Sequence, residues 1–308
     1  LMMAVLIPQG KAWPLAAVAQ SNSITNFVNS ALLGLSAGAA VLVSQYWGKR
    51  DTGRIKPLCA TAFTLTLSFS ALIVLFVLMF PSLALRLVIS RKEEAITALA
   101  LDYLPVLVFS YLPFAFTAAC IAILRGVEVV RVTLYATIGS LISNVTLNYI
   151  LIFGKLGFPA LGVRGAATAT VLARLIEAGI VVFYLFRVQK VLPLRAGDLM
   201  IHRVWAWKDY TRFGLPVGLT DAQWALIGMI KMMIIGRMGQ IMMNAAAVTD
   251  MLFNLGTLFT FSLAGGAAVL VGKAAGSGNV QLVRQYSKRI QIMFLFVGIV
   301  MAALVFFL

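Results

Sequence analysis

Within long apolar stretches of this chain, side chains able to hold a proton, a cation or a polar organic group recur every three or four residues. Asn22, Asn26 and Asn29 form one such series, and Ser140, Asn144 and Asn148 another. Thr170, Arg174 and Glu177 form a third, and Asp250, Asn254 and Thr257 a fourth. Asp221, Trp224 and Lys231 make a weaker fifth, because Gly228 fills a step between the last two. These intervals place each set on one side of a helix. One polar stripe alone serves as glue between helices, at about 0.6 kcal/mol per contact. Four clear stripes and a mixed fifth, in a chain of two halves, predict a shared aqueous cavity.

The carboxylates carry the most weight, since one at the centre of a membrane costs roughly 3 kcal/mol or more and is kept for a partner or a role. Glu177 has Arg174 one turn away, so it is either half of a structural ion pair or a coupling site. Asp221 lies near the start of its apolar run, at the interface. Asp250 has no cation at helical spacing and is the best candidate for a titrating or cation-binding group. Asp102 is interfacial. The candidate cation- or substrate-binding set is therefore Asn26, Asn144, Asn148, Thr170, Glu177, Asp221, Asp250 and Asn254. No catalytic residue, metal ligand or cofactor is expected. Gly34-Leu-Ser-Ala-Gly38 has the form of a nucleophile elbow, but the only histidine is His202, in a loop. Gly266 to Lys273 approaches a phosphate loop with one residue too many between its glycines, and Ala274 stands where the magnesium-binding hydroxyl belongs. Asn144-Val-Thr146 is a glycosylation sequon placed mid-span, out of reach.

The elements that must carry these residues follow from composition. Of 308 residues, 61% are apolar and 11% charged. Apolar runs of about 20 residues, the length that crosses a hydrocarbon core, must be helical so that every backbone polar group is bonded internally. Spans are predicted at 15–46, 57–82, 95–124, 132–153, 165–186, 212–236, 243–273 and 287–308. The fold class is an all-α, polytopic membrane protein. The net charge of +15 sits between the spans, which points to topology and anionic lipid and away from nucleic acid. Loops after the odd-numbered spans hold sixteen Lys and Arg and the other side seven, which puts the first set in the cytoplasm. Residue 14 is then outside, so Leu1–Ile7 reads as the tail of an earlier span and Ala302–Leu308 as stopping inside another. The chain is expected to be a fragment. Segment 187–211, with Arg187, Lys190, Arg195, His202, Arg203 and Lys208, reads as a solvated, lipid-facing linker between 1–186 and 212–308. Cys59 and Cys120 read as small buried hydrophobes.

An internal repeat defines the two halves. Leu35–Asp51 (LSAGAAVLVSQYWGKRD) and Leu263–Asn279 (LAGGAAVLVGKAAGSGN) share 8 of 17 residues without gaps, six of them consecutive. The offset covers six helices, so both copies have the same orientation, as in transporters built from parallel halves around an axis along the membrane normal.

The first copy, LRGVEVVR at 124–131 and NVTLNYILIFGKLGFPALGVRGAATAT at 144–170 resemble the multidrug and toxic compound extrusion (MATE) family. FGLPVGLTDAQW at 213–224, IIGRMG at 234–239 and the second copy continue the likeness over essentially the whole chain. The resemblance implies twelve helices in two parallel six-helix lobes, of which these eight are the second to ninth. It further implies a central cavity and export of organic, often cationic, compounds in exchange for H⁺ or Na⁺. It carries the family's first-lobe polar site onto Asn144, Asn148 and Thr170. One branch has aspartate where Asn148 stands, and another has glutamate where Trp224 stands. These departures imply a branch that couples differently, or a coupling residue in helices beyond this chain. The implied setting is the plasma membrane, a bacterial inner membrane, with small organic substrates and the bilayer as partners and a monomeric state. Two rival readings remain: a lipid-linked-sugar flippase of the same superfamily, which calls for a cavity rich in basic residues, and a membrane-embedded enzyme, which calls for clustered His, Asp and Glu.

Overall fold

The computed structural model describes residues 13–86, 94–192, 196–237 and 240–307, and among these every regular element is a helix. The order is α1 (Trp13–Gly48), α2 (Thr52–Met79), α3 (Pro81–Arg86), α4 (Glu94–Leu107), α5 (Tyr111–Gly126), α6 (Arg131–Phe153) and α7 (Gly162–Phe183). It continues through α8 (Val204–Asp209), α9 (Leu215–Arg237), α10 (Gln240–Gly276) and α11 (Val280–Phe307). Seven helical segments among the described residues are long and apolar enough to cross a bilayer. The predicted 212–236 span corresponds to α9, of 23 residues, which bears Asp221, Gln223 and Lys231 and is not one of the seven. The tail predicted at Leu1–Ile7 lies outside the described residues.

Local chemistry sets the ends and bends. Asp51 caps α2 by accepting from the Arg54 N–H at 3.2 Å, and Asn279 caps α11 by accepting from Leu282 at 2.9 Å. Gly154 closes α6 in the left-handed region, at φ 65°. Pro113 lacks an N–H and its ring crowds the carbonyl four residues back. A short 3₁₀ turn, Val108–Ser110, accordingly separates α4 from α5 within one span. Before Pro216 the segment Tyr210–Gly214 widens into a π-turn. Several hydroxyls inside the spans are spent on their own helices. Ser36, Thr61, Thr66, Thr170 and Thr257 each donate to a carbonyl four residues earlier. Large apolar side chains such as Leu72, Leu75, Phe296 and Ile299 are exposed, the surface expected toward lipid.

The described basic charges of the linker are solvated, as the sequence suggested, but the segment is also anchored. Its basic side chains Arg187, Lys190, Arg203 and Lys208 are exposed, and Arg195 lies outside the described residues. Its apolar side chains, however, are seated in the first half. Leu192, Ala206 and Tyr210 are buried in one cluster with Val43, Leu58, Ile123 and Leu185. Lys56 pairs with Asp198 at 2.9 Å, Thr64 meets His202 at 2.7 Å, and Tyr46 donates to Asp209 at 2.7 Å. The Tyr210 hydroxyl donates to the Leu35 carbonyl. Charge counting misses this because α8 turns Ala206 and Tyr210, four residues apart, to one side.

The halves meet along α1. A methyl group added at Gly34 would lie 2.7 Å from both the Gly218 carbonyl oxygen and Asp221 Cβ. One at Gly38 would collide with the Gly214 backbone, one at Gly48 with Lys273, and one at Gly276 with Gln45. The repeated motif is therefore a contact surface whose two copies face each other, backbone against backbone. Glu128, after α5, reaches Lys273 on α10 at 2.8 Å beside this seam. Gly38→Leu is expected to force α1 and α9 apart at a cost of roughly 1–3 kcal/mol, typical of overpacking. Thermal unfolding in detergent should show a lower midpoint, whereas Gly179→Ala, which meets only open space, should leave the midpoint in place.

Candidate functional site

A cavity of about 500 Å³ lies inside the first half, between α1, α4, α6 and α7. From α1 it takes Asn22, Thr25 and Asn26, three or four residues apart and hence on one face. Helix α6 presents Thr137, Ser140, Leu141 and Asn144 in the same way, and α7 presents Thr170, Ala173, Arg174 and Glu177. Three of the predicted stripes thus share one space. Tyr103 and Leu107 of α4 complete the wall. Sequence reasoning passed over Tyr103 and Thr25. Tyr103 donates to Asn22 Oδ1 at 3.3 Å, and Thr25 shares a hydrogen bond with Tyr111 at 2.9 Å. Thr137, also passed over, had a readable signal, since it stands one turn before Ser140.

The charges of this cavity are a matched pair. Arg174 Nη1 donates to Glu177 Oε2 at 2.7 Å, and Ser140 donates to the same oxygen at 3.0 Å. The Arg174 guanidinium lies over the Phe114 ring, 4.3 Å from its centroid. Glu177 is the one carboxylate among the residues lining the space, and its side chain is 7% exposed. Asn148 Nδ2 donates to Asn144 Oδ1 at 2.9 Å, so Asn148 orients a lining residue from behind.

The remaining candidates lie elsewhere. Asp221 is half-buried against Gly34 of α1. Asp250 does have a cation: Lys231 of α9 reaches its carboxylate from the neighbouring helix. The spacing argument looked only along one helix and could not see this partner, so Asp250 is not an unpaired acid. Asn254 is exposed, and none of these three lines the first-half cavity. Asp102 is held near the surface by Arg164 at 2.5 Å. A larger space, of about 590 Å³, sits at the seam between the halves, but its Glu128 and Lys273 are engaged with each other. Among the described residues no group of three or more His, Cys, Asp or Glu is arranged to hold a metal.

Seven bilayer-length helices and a repeated seam define a multi-pass integral membrane protein whose interior holds a polar, charge-balanced cavity. The chain belongs to the MatE family, whose profile matches residues 1–150 and 216–308. A probable multidrug resistance protein NorM of Thermotoga maritima is 29% identical over 208 residues, covering 67% of this chain and 44% of that protein. Its counterpart in Halalkalibacterium halodurans is 27% identical over 310 residues, covering 99% of this chain and 66% of that one. The chain thus spans about half to two thirds of the length of these relatives. The crystal structure of MATE in the bent conformation superposes with a TM-score of 0.82 at 22% identity, over 98% of this chain and 65% of that one. An outward-facing multidrug resistance MATE family transporter of the MOP superfamily gives 0.80 at 22% identity, over 98% and 67%. At this identity both establish the fold.

Breaking a buried ion pair leaves one charge uncompensated, at a cost on the order of 3 kcal/mol, whereas replacing both partners with apolar residues is often neutral. Glu177→Leu is therefore expected to lower stability in detergent markedly. The double variant Arg174→Leu/Glu177→Leu should recover most of the loss in a denaturation cycle.

Proposed function

We propose that this protein is a secondary antiporter of the multidrug-efflux kind, exporting small organic compounds in exchange for H⁺ or Na⁺. The observation that carries the reading is the first-half cavity, in a chain of the MatE family, where amides, hydroxyls and one carboxylate converge within the membrane. Asn26, Asn144 and Thr170 offer oxygens to a cation or to polar groups of a substrate, and Glu177 offers the negative charge for which the two compete. Each elementary charge moved through the membrane field is worth about 2.3 kcal/mol per 100 mV, so the gradient can drive export without nucleotide hydrolysis. The protein acts as a monomer, its halves parting along the α1 seam. The flippase reading is disfavoured, because Arg174 is the one basic residue among those lining the cavity and its charge is balanced.

The test is made in sealed vesicles containing the protein, with an imposed H⁺ or Na⁺ gradient and a fluorescent organic substrate. Addition of substrate is expected to dissipate one of the two gradients, and Glu177→Gln with Asn144→Ala should reduce the rate at least about tenfold, the scale of one lost charged hydrogen bond. Gradients indifferent to every substrate tried would refute the antiporter reading.

A further inference from the structure

The pair at the floor of the cavity is only half used. A guanidinium has five N–H donors, and among the described residues Arg174 spends one of them, on Glu177 Oε2. The Phe114 ring covers one face of the planar Arg174 guanidinium, a contact that does not use its N–H edges. On the other partner, Oε2 accepts from both Arg174 and Ser140, while Oε1 accepts from no described residue. Both groups line the same space, beside the neutral Asn26, Asn144 and Thr170. One positive and one negative group thus stand side by side in the cavity wall, each with hydrogen-bonding capacity that no described residue takes up.

Charge balance then decides what fits. A lone anion on Arg174 would lie next to Glu177 and leave the site with an excess negative charge. A lone cation on Glu177 would lie next to Arg174 and leave an excess positive one, a cost that the ion gradient offsets for the coupling cation but not for an organic one. Within a membrane an unbalanced charge is costly, and a like charge at ion-pair distance adds to the cost. A molecule carrying both signs, set head to tail against the pair, keeps the site neutral and engages both free faces. Arginine suits the anionic end, because its planar fork matches a carboxylate with two parallel hydrogen bonds.

Resting on the reading of this cavity as the substrate site, we propose that it selects zwitterionic organic compounds. Arg174 binds the ligand's carboxylate, and Glu177 Oε1 binds its cationic group. The coupling cation competes with that cationic group for Glu177 alone, so Arg174 is the specificity-determining residue.

The test uses two fluorophores that differ in one charge. Rhodamine B carries a carboxylate and a delocalised cation, and rhodamine B ethyl ester carries the cation alone. Affinities are measured by fluorescence anisotropy on the purified protein in detergent. The intact protein is expected to bind rhodamine B at least about tenfold more tightly than the ester, the scale of a charge-assisted hydrogen bond. Arg174→Gln should abolish that preference by weakening rhodamine B alone. Should that variant fail to fold, Arg174→Gln/Glu177→Gln leaves no buried charge unpaired and should bind both dyes alike. Equal binding of the two dyes by the intact protein, or a preference that survives the double variant, overturns the zwitterion proposal and leaves the cavity as a substrate site. Failure of both dyes to bind overturns the reading of the cavity itself and the proposal with it.

Discussion

The arrangement depends on how closely α1 can approach α9 and α10. Lipid tails are as apolar as leucine, so burying hydrocarbon does little to hold two membrane helices together. What remains is dispersion between surfaces that touch, and that falls away within an ångström of separation. Gly34, Gly38, Gly48, Gly218, Gly272 and Gly276 remove the side chains that would keep the backbones apart. With α1 held on that side, its other face is free to carry Asn22 and Asn26 into the first-half cavity. One helix therefore serves as the seam between the halves and as a wall of the polar site.

The cavity itself is a compromise between membrane solubility and polar chemistry. Thr170 hydrogen-bonds within its own helix, Asn144 is oriented by Asn148, and the two charges neutralise each other. No net charge is left for the bilayer to penalise, yet oxygen and nitrogen atoms still face the interior. Tyr103 and Tyr111, both buried, tie α4 and α5 to α1 through Asn22 and Thr25. These bonds set the depth of the polar wall.

Much of this was legible in the residue order, and the limits have a physical cause. Helical periodicity reports the face a residue occupies, which is why the Asn22/Asn26, Ser140/Asn144 and Arg174/Glu177 groupings could be read directly. Periodicity does not report which helix stands opposite. The Lys231–Asp250 pair joins α9 to α10, and Tyr103 reaches Asn22 across eighty-one positions. Both were out of view for the same reason. The linker deceived in another way: its exposed lysines and arginines dominate the composition, while Leu192, Ala206 and Tyr210 decide where it sits. Short segments are placed by a few buried anchors that an average over charge conceals.

Those anchors have a mechanical consequence. Because α8 is bonded to Tyr46 and Tyr210 to Leu35, the end of the connection is fastened to the first half. The rotation of the halves that the proposed antiport calls for would then be taken up by backbone beyond Tyr210, where the π-turn Tyr210–Gly214 runs into Pro216. A widened turn followed by a residue with no N–H is a place where helical bonding is already loosened. This loosened segment abuts Gly38, so a pivot there would lie against the seam, and small angular changes would become large separations at the far ends of the helices.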